Sequence, residues 1–173
     1  MVSKNIVLVG FMGTGKTSVG KVLGKKLGRE VVDIDHWIES SRGKTIREIF
    51  ETVGEAHFRL MENEAIGQIT GQRGIVITAG GGAVLDAQNI AAFKKTGWLV
   101  TLWAAPETIE QRVRHSRNRP LLKNGNRLDE IKKILAERKS FYEKGDFHFH
   151  TDGLTPAQVA KNILEALKDK LIL

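Results

Sequence analysis

A short apolar run ends in Gly10-Phe-Met-Gly-Thr-Gly15-Lys16-Thr17, and this junction limits the possible fold more than any other feature of the chain. It follows the pattern Gly, four residues, Gly-Lys-Ser/Thr, which needs a strand before it and a helix after it. Lys4–Gly10 supplies the strand, a continuous apolar stretch of the kind buried on both faces of a parallel sheet. From Gly15 to Leu27, Val19, Val22, Leu23 and Leu27 recur at helical spacing, and Gly28 supplies a stop. The glycines let successive amides converge on phosphate oxygens. Lys16 reaches the β/γ-phosphates, and the Thr17 hydroxyl suits Mg²⁺. The positive end of the helix faces the same anion. The competing reading is a plain Gly-rich turn. From average composition, a chance match in a chain of this length has a probability on the order of one per cent. The junction implies a nucleotide-phosphate site, with Gly13, Thr14, Gly15, Lys16, Thr17 and Ser18 around the phosphates. What receives the phosphate stays open.

The rest of the chain repeats the alternation. Strands are predicted at Val31–Asp35, Gly74–Thr78, Trp98–Ala104 and Phe147–His150. Between them lie helical stretches near Glu55–Ile69, Asp86–Lys95 and Leu128–Tyr142, with others beginning at Pro106 and at Thr155-Pro156. Thr45-Ile-Arg-Glu48 is a capping-box match that opens a further helix. Strands alternating with helices imply a parallel sheet covered on both faces, and 173 residues fit one such α/β domain, 1–173.

Several residues can select the acceptor. Asp33 and Asp35 stand at the end of the second strand, where ligands of open parallel sheets bind. One carboxylate can support Mg²⁺ and the other can take a proton from an attacking hydroxyl; the bland alternative is a helix N-cap at Asp35. No acid ends the third strand, which makes Asp33 the better metal-side carboxylate. That strand runs instead into Gly80-Gly81-Gly82, either a plain loop or a place where bare amides approach a ligand. Arg59 reads as a surface partner of Glu62 three residues on, and Arg138 has the same bland reading. Together they can also clamp a carboxylate, although spacing alone does not bring them together.

Net charge is +7, and residues 112–127 hold Arg112, Arg114, Arg117, Arg119, Lys123 and Arg127 with no acid. Such a stretch can fold over ATP, or be a solvated loop or nucleic-acid patch. It lacks stacking aromatics, and the surplus is not spread as a binding face requires. Neither a nucleic-acid nor a membrane partner is therefore expected. The absence of Cys excludes disulfides and thiolate chemistry. No apolar run approaches a membrane span and the first residues show no signal-peptide pattern, so a cytoplasmic protein is expected, and nothing requires more than a monomer.

In order along the chain, residues 10–17, Asp33-Ile34-Asp35, Phe58-Arg59, Gly80–Gly82, Arg119-Pro-Leu-Leu122 and Glu137-Arg138 before Tyr142 resemble the bacterial-type shikimate kinases over essentially the whole length. The resemblance implies a three-layer α/β/α fold with a five-stranded parallel sheet in order 2-3-1-4-5. It implies a substrate-binding region near 35–62 and a lid near 112–126. The activity implied is ATP- and Mg²⁺-dependent phosphorylation of shikimate at its 3-hydroxyl. By the same resemblance, Asp35 contacts the accepting hydroxyl and Asp33 supports Mg²⁺ through water, with Thr17. Arg59, Arg138 and Gly80–Gly82 hold the substrate. Lys16 and the lid residue Arg119 act catalytically, while Arg119, Arg112 or Arg114, and Pro156 border the nucleotide; Arg114 is the residue chosen. Other readings are a related kinase such as a gluconate kinase, or a nucleotide-binding regulator without turnover.

Overall fold

The structure, a computed structural model, describes residues 3–114 and 127–171. Its centre is β1 (Asn5–Val9), buried along its entire length. The sheet has five strands in the order β2-β3-β1-β4-β5. The others are β2 (Val31–Asp33), β3 (Val76–Thr78), β4 (Gly97–Trp103) and β5 (Phe147–His150), and every pairing is parallel. This is the order and the parallel sense expected above.

Alternation along β1 separates two cores. Val7 and Val9 point into one layer with Phe58, Ile66, Phe93 and Ile109. Ile6 and Leu8 point into the other, against Val19, Leu23, Ile163 and Leu167. The second layer is formed by α1 (Lys16–Leu27) and α7 (Pro156–Leu171). The first holds α2 (Ile34–Arg42), α3 (Ile46–Ile69), α4 (Ala87–Thr96), α5 (Pro106–Val113) and α6 (Arg127–Tyr142). Among the described residues, no helix is long and apolar enough to cross a membrane.

Two local details depart from the sequence expectation or refine it. β2 ends at Asp33 rather than Asp35, because the Asp33 carboxylate accepts the His36 amide and starts α2. Asp33 is therefore the cap, and Asp35 lies in the first helical turn. The Thr45–Glu48 capping box opens α3 as expected. Gly54 then interrupts that helix at φ 78°, ψ 171°, a region essentially reserved for glycine. The predicted restart at Glu55 is the residue after this break.

Candidate active site

Loop and helix N-terminus come together beyond the carboxyl end of β1. Gly10, Gly13 and Gly15 all have positive φ, and a β-carbon on Gly10 would overlap the Leu102 carbonyl. Gly15 caps α1 without a side-chain hydrogen bond, and the first turn holds no acid. The N-terminal amides and helix dipole are thereby left to an external anion. Lys16 Nζ donates to the carbonyls of Gly10 and Phe11 at 2.8 and 2.9 Å, so its ammonium lies across the loop.

Three adjoining cavities line this end of the sheet. The middle one, about 350 Å³, is bounded by Gly13, Gly15, Lys16, Thr17, Ser18 and Asp33, and also touches Thr78. On one side it shares Gly15, Ser18 and Arg112 with a cavity of about 220 Å³, completed by Thr14, Thr151, Leu154, Pro156 and Val159. On the other it shares Met12, Asp35, Gly80 and Gly81 with one of about 400 Å³. This last of the three contains Arg59, Glu62, Gly82 and Arg138, with Phe11, Ile46, Phe50 and Phe58 as apolar wall. The arrangement can seat a base, a phosphate chain and an anionic acceptor in series.

Asp33 organises the middle. Its Oδ2 accepts from the Thr17 hydroxyl at 3.2 Å and from the Thr78 hydroxyl at 2.7 Å, while Oδ1 caps α2 at 3.2 Å. Thr17 donates its proton to the carboxylate, which leaves the hydroxyl lone pairs for a cation. Hydroxyl and carboxylate oxygens are hard donors, and Mg²⁺ characteristically takes few protein ligands and completes its shell with phosphates and waters. The residues present fit the ion.

Asp35 faces both larger cavities. Burial raises its carboxyl above the ordinary aspartate value; the neighbouring Asp33 charge adds to this and Lys16 opposes it. A β-carbon on Gly80 would sit 3.0 Å from Asp35 Oδ1. The glycine thus leaves room for the carboxylate beside the strand end.

Arg59 does pair with Glu62, at 2.6 Å, and with Glu55 at 3.0 Å. The pair is not a surface one, since Glu62 is 1% exposed. Burial lowers the tendency of Arg59 to stay charged, but the two carboxylates outweigh it and hold the guanidinium above its ordinary pKa. Burial raises the Glu62 carboxyl, against the pull of Arg59, and Glu62 Oε1 has no hydrogen-bond partner among the described residues. Arg59 and Arg138 thus line one cavity, as a clamp requires.

Of the basic stretch, Arg112 donates to the Gly13 carbonyl and to both oxygens of Thr151, at 2.8–3.1 Å. Arg114 borders none of the three cavities and pairs loosely with Glu110 at 3.7 Å. Arg119 and the rest of 115–126 lie outside the described residues. Sequence reasoning missed Thr78, whose signal lies only in its pairing opposite Asp33 across β2 and β3. It also passed over Glu62 as a surface acid.

Residues 12–168 match the family model described as shikimate kinase. A shikimate kinase from Thermodesulfovibrio yellowstonii is 48% identical over 162 residues, 94% of each chain. The structure of a shikimate kinase from Acinetobacter baumannii in complex with shikimate superposes with TM-score 0.93 at 36% identity, covering 99% of this chain and 96% of that one. A gluconokinase from Sinorhizobium meliloti shares the fold alone, with TM-score 0.63 at 15% identity, covering 99% of this chain and 95% of that one.

Proposed function

Since this chain belongs to the shikimate kinase family, we propose that its adjoining cavities align ATP with the 3-hydroxyl of shikimate for transfer of the γ-phosphoryl group. Phosphorylation of shikimate by ATP is the activity of the enzyme. The observation that carries the assignment of groups is the shared boundary of the two larger cavities, where Asp35 and the Gly80-Gly81 segment face both.

Each moiety then has a partner. Arg59 and Arg138 hold the shikimate carboxylate, and Gly80–Gly82 let the ring approach the backbone. The apolar wall of Phe50, Phe58 and Ile46 takes the ring face. Asp35 accepts the hydrogen of the attacking hydroxyl; as the new O–P bond forms and ADP leaves, that proton passes to the carboxylate. Its raised pKa strengthens it as a base. Lys16 and the amides at the start of α1 neutralise charge on the phosphates. Thr17, with Asp33 through water, would hold Mg²⁺, which supplies charge neutralisation on the phosphate oxygens. Arg112, rather than Arg114, packs on the base opposite Pro156. Arg119, in a lid over 112–126, adds charge stabilisation, and residues 35–62 form the substrate-binding region of one kinase domain. The reading includes a monomer in the cytoplasm; light scattering checks the monomer.

An ADP-release assay with Mg²⁺ tests the function against shikimate, gluconate and nucleoside monophosphates. Shikimate alone is expected to drive turnover, with the phosphate found on the 3-oxygen. Folded protein without shikimate-dependent ADP release would overturn it.

A further inference from the structure

Helix α6 carries Arg138, and Ile134, Leu135 and Phe141 pack its inner face against the first core. Of its 16 residues only Ile131 and Tyr142 are buried. Tyr142 stands one helical turn beyond Arg138, so the two side chains share a face. It is 1% exposed, and its ring meets Trp103 edge-on with centroids 5.8 Å apart. Its main-chain carbonyl accepts the buried Thr101 hydroxyl at 2.8 Å, which fastens the end of α6 to β4. Its phenol donates to the Gly81 carbonyl at 2.7 Å.

That last bond reaches into the glycine segment. A β-carbon on Gly81 would lie 3.2 Å from the Tyr142 hydroxyl and 3.7 Å from Arg138 Nη1, so phenol, guanidinium and glycine meet at one point. Burial pushes the phenol pKa up to about 12, against the nearby Arg138 charge, so the hydroxyl remains a donor at any working pH. The bond joins two elements far apart in sequence, and Gly81 and Arg138 of those elements both line the same cavity.

We infer that Tyr142 is a positioning residue: its hydroxyl fixes the Gly81 segment against α6 and thereby sets where Arg138 presents its guanidinium to the substrate carboxylate. The inference rests on the functional reading above. It adds a residue that touches no substrate and acts through Arg138. A tyrosine serving only to fill the core would need the ring and not the oxygen.

Tyr142→Phe keeps the ring and removes the oxygen. Titration calorimetry should show shikimate affinity about fivefold weaker, the size expected when one side chain must be ordered on binding instead of beforehand, with ATP affinity unchanged. In an Arg138→Lys background the same substitution should weaken shikimate binding by less than twofold, because the side chain it positions is gone. Unchanged shikimate affinity, equal losses for both ligands, or full additivity with Arg138→Lys would each overturn the inference. A second readout keeps the tyrosine oxygen in place. Tyr142 is the only tyrosine in the chain, so biosynthetic 3-fluorotyrosine places a single fluorine beside Gly81. Its ¹⁹F resonance should shift on adding shikimate to the wild type and stay in place for Arg138→Lys; a wild-type resonance unmoved by saturating shikimate would also overturn the inference. Binding and fluorine measurements do not require turnover. Wild type that binds shikimate without releasing ADP would therefore count against the functional reading alone.

Discussion

The Arg59 guanidinium occupies the space that a β-carbon on Gly82 would need. The arginine reaches the cavity it shares with Arg138 only because position 82 has no side chain, and it is braced there by the buried Glu62. Gly82→Ala should expel the guanidinium. Loss of a charge-assisted, bidentate contact of this kind is expected to weaken shikimate binding more than tenfold. ATP binding should not change, since Gly82 borders neither nucleotide cavity. Separate calorimetric titrations with the two ligands check this, and wild-type shikimate affinity would show that Arg59 does not bind there.

Asp35 should set activity against stability. Its folded pKa is raised by burial first and by Asp33 second, so the folded protein holds that proton more tightly than the unfolded chain. Its contribution to stability is therefore largest below the ordinary aspartate value of 3.8 and is lost as pH rises through the folded pKa. Asp35→Asn removes the buried charge. At pH 7 the variant should melt at a higher temperature than wild type, with the gap closing toward acid pH. Its kcat should fall by roughly two orders of magnitude or more, the usual worth of a general base, with ATP affinity intact. Wild-type kcat, or a melting gap independent of pH, would contradict the assignment.

The two arginines flanking the end of α5 should separate cleanly. Arg112 connects the phosphate loop to Thr151 and borders the cavity that contains Pro156, while Arg114 is largely exposed. Arg112→Ala is expected to raise the KM for ATP about tenfold, for loss of stacking and charged hydrogen bonds. Arg114→Ala should leave it within a factor of two. Steady-state kinetics at saturating shikimate decides between them, and the reverse ranking would move the base to another wall.

Much of this was legible in the sequence for a physical reason: β1 and its loop are local patterns. A buried strand, three glycines, a lysine and a threonine need no distant partner to be recognised. Likewise, the Thr45–Glu48 box spans a single turn. The extent of β2 was less legible, because Asp-Ile-Asp suits a strand end and a helix start equally well. The choice falls to Asp33 because its partner Thr78 lies opposite in the β2–β3 register. That register is set 45 residues away. The Arg59–Glu62 spacing revealed the pair and not its burial, since burial depends on how α3 lies against the glycine segment. Tyr142 marked a helix boundary and the close of the Glu137-Arg138 motif, and its partners lie 41 residues away in β4 and 61 away at Gly81.

Asp33 leaves almost no neutral direction for mutation. One of its oxygens ends a strand and starts the helix that bears Asp35; the other faces the phosphate-loop threonine. Asparagine would preserve the helix start and withdraw the negative charge that a cation needs. Glutamate would preserve the charge, but its extra methylene would carry the oxygens away from the His36 amide. A change that alters the oxygen beside Thr17 would therefore also disturb the start of the helix that bears Asp35, and one that alters the helix start would disturb the oxygen beside Thr17. The two properties are inherited together.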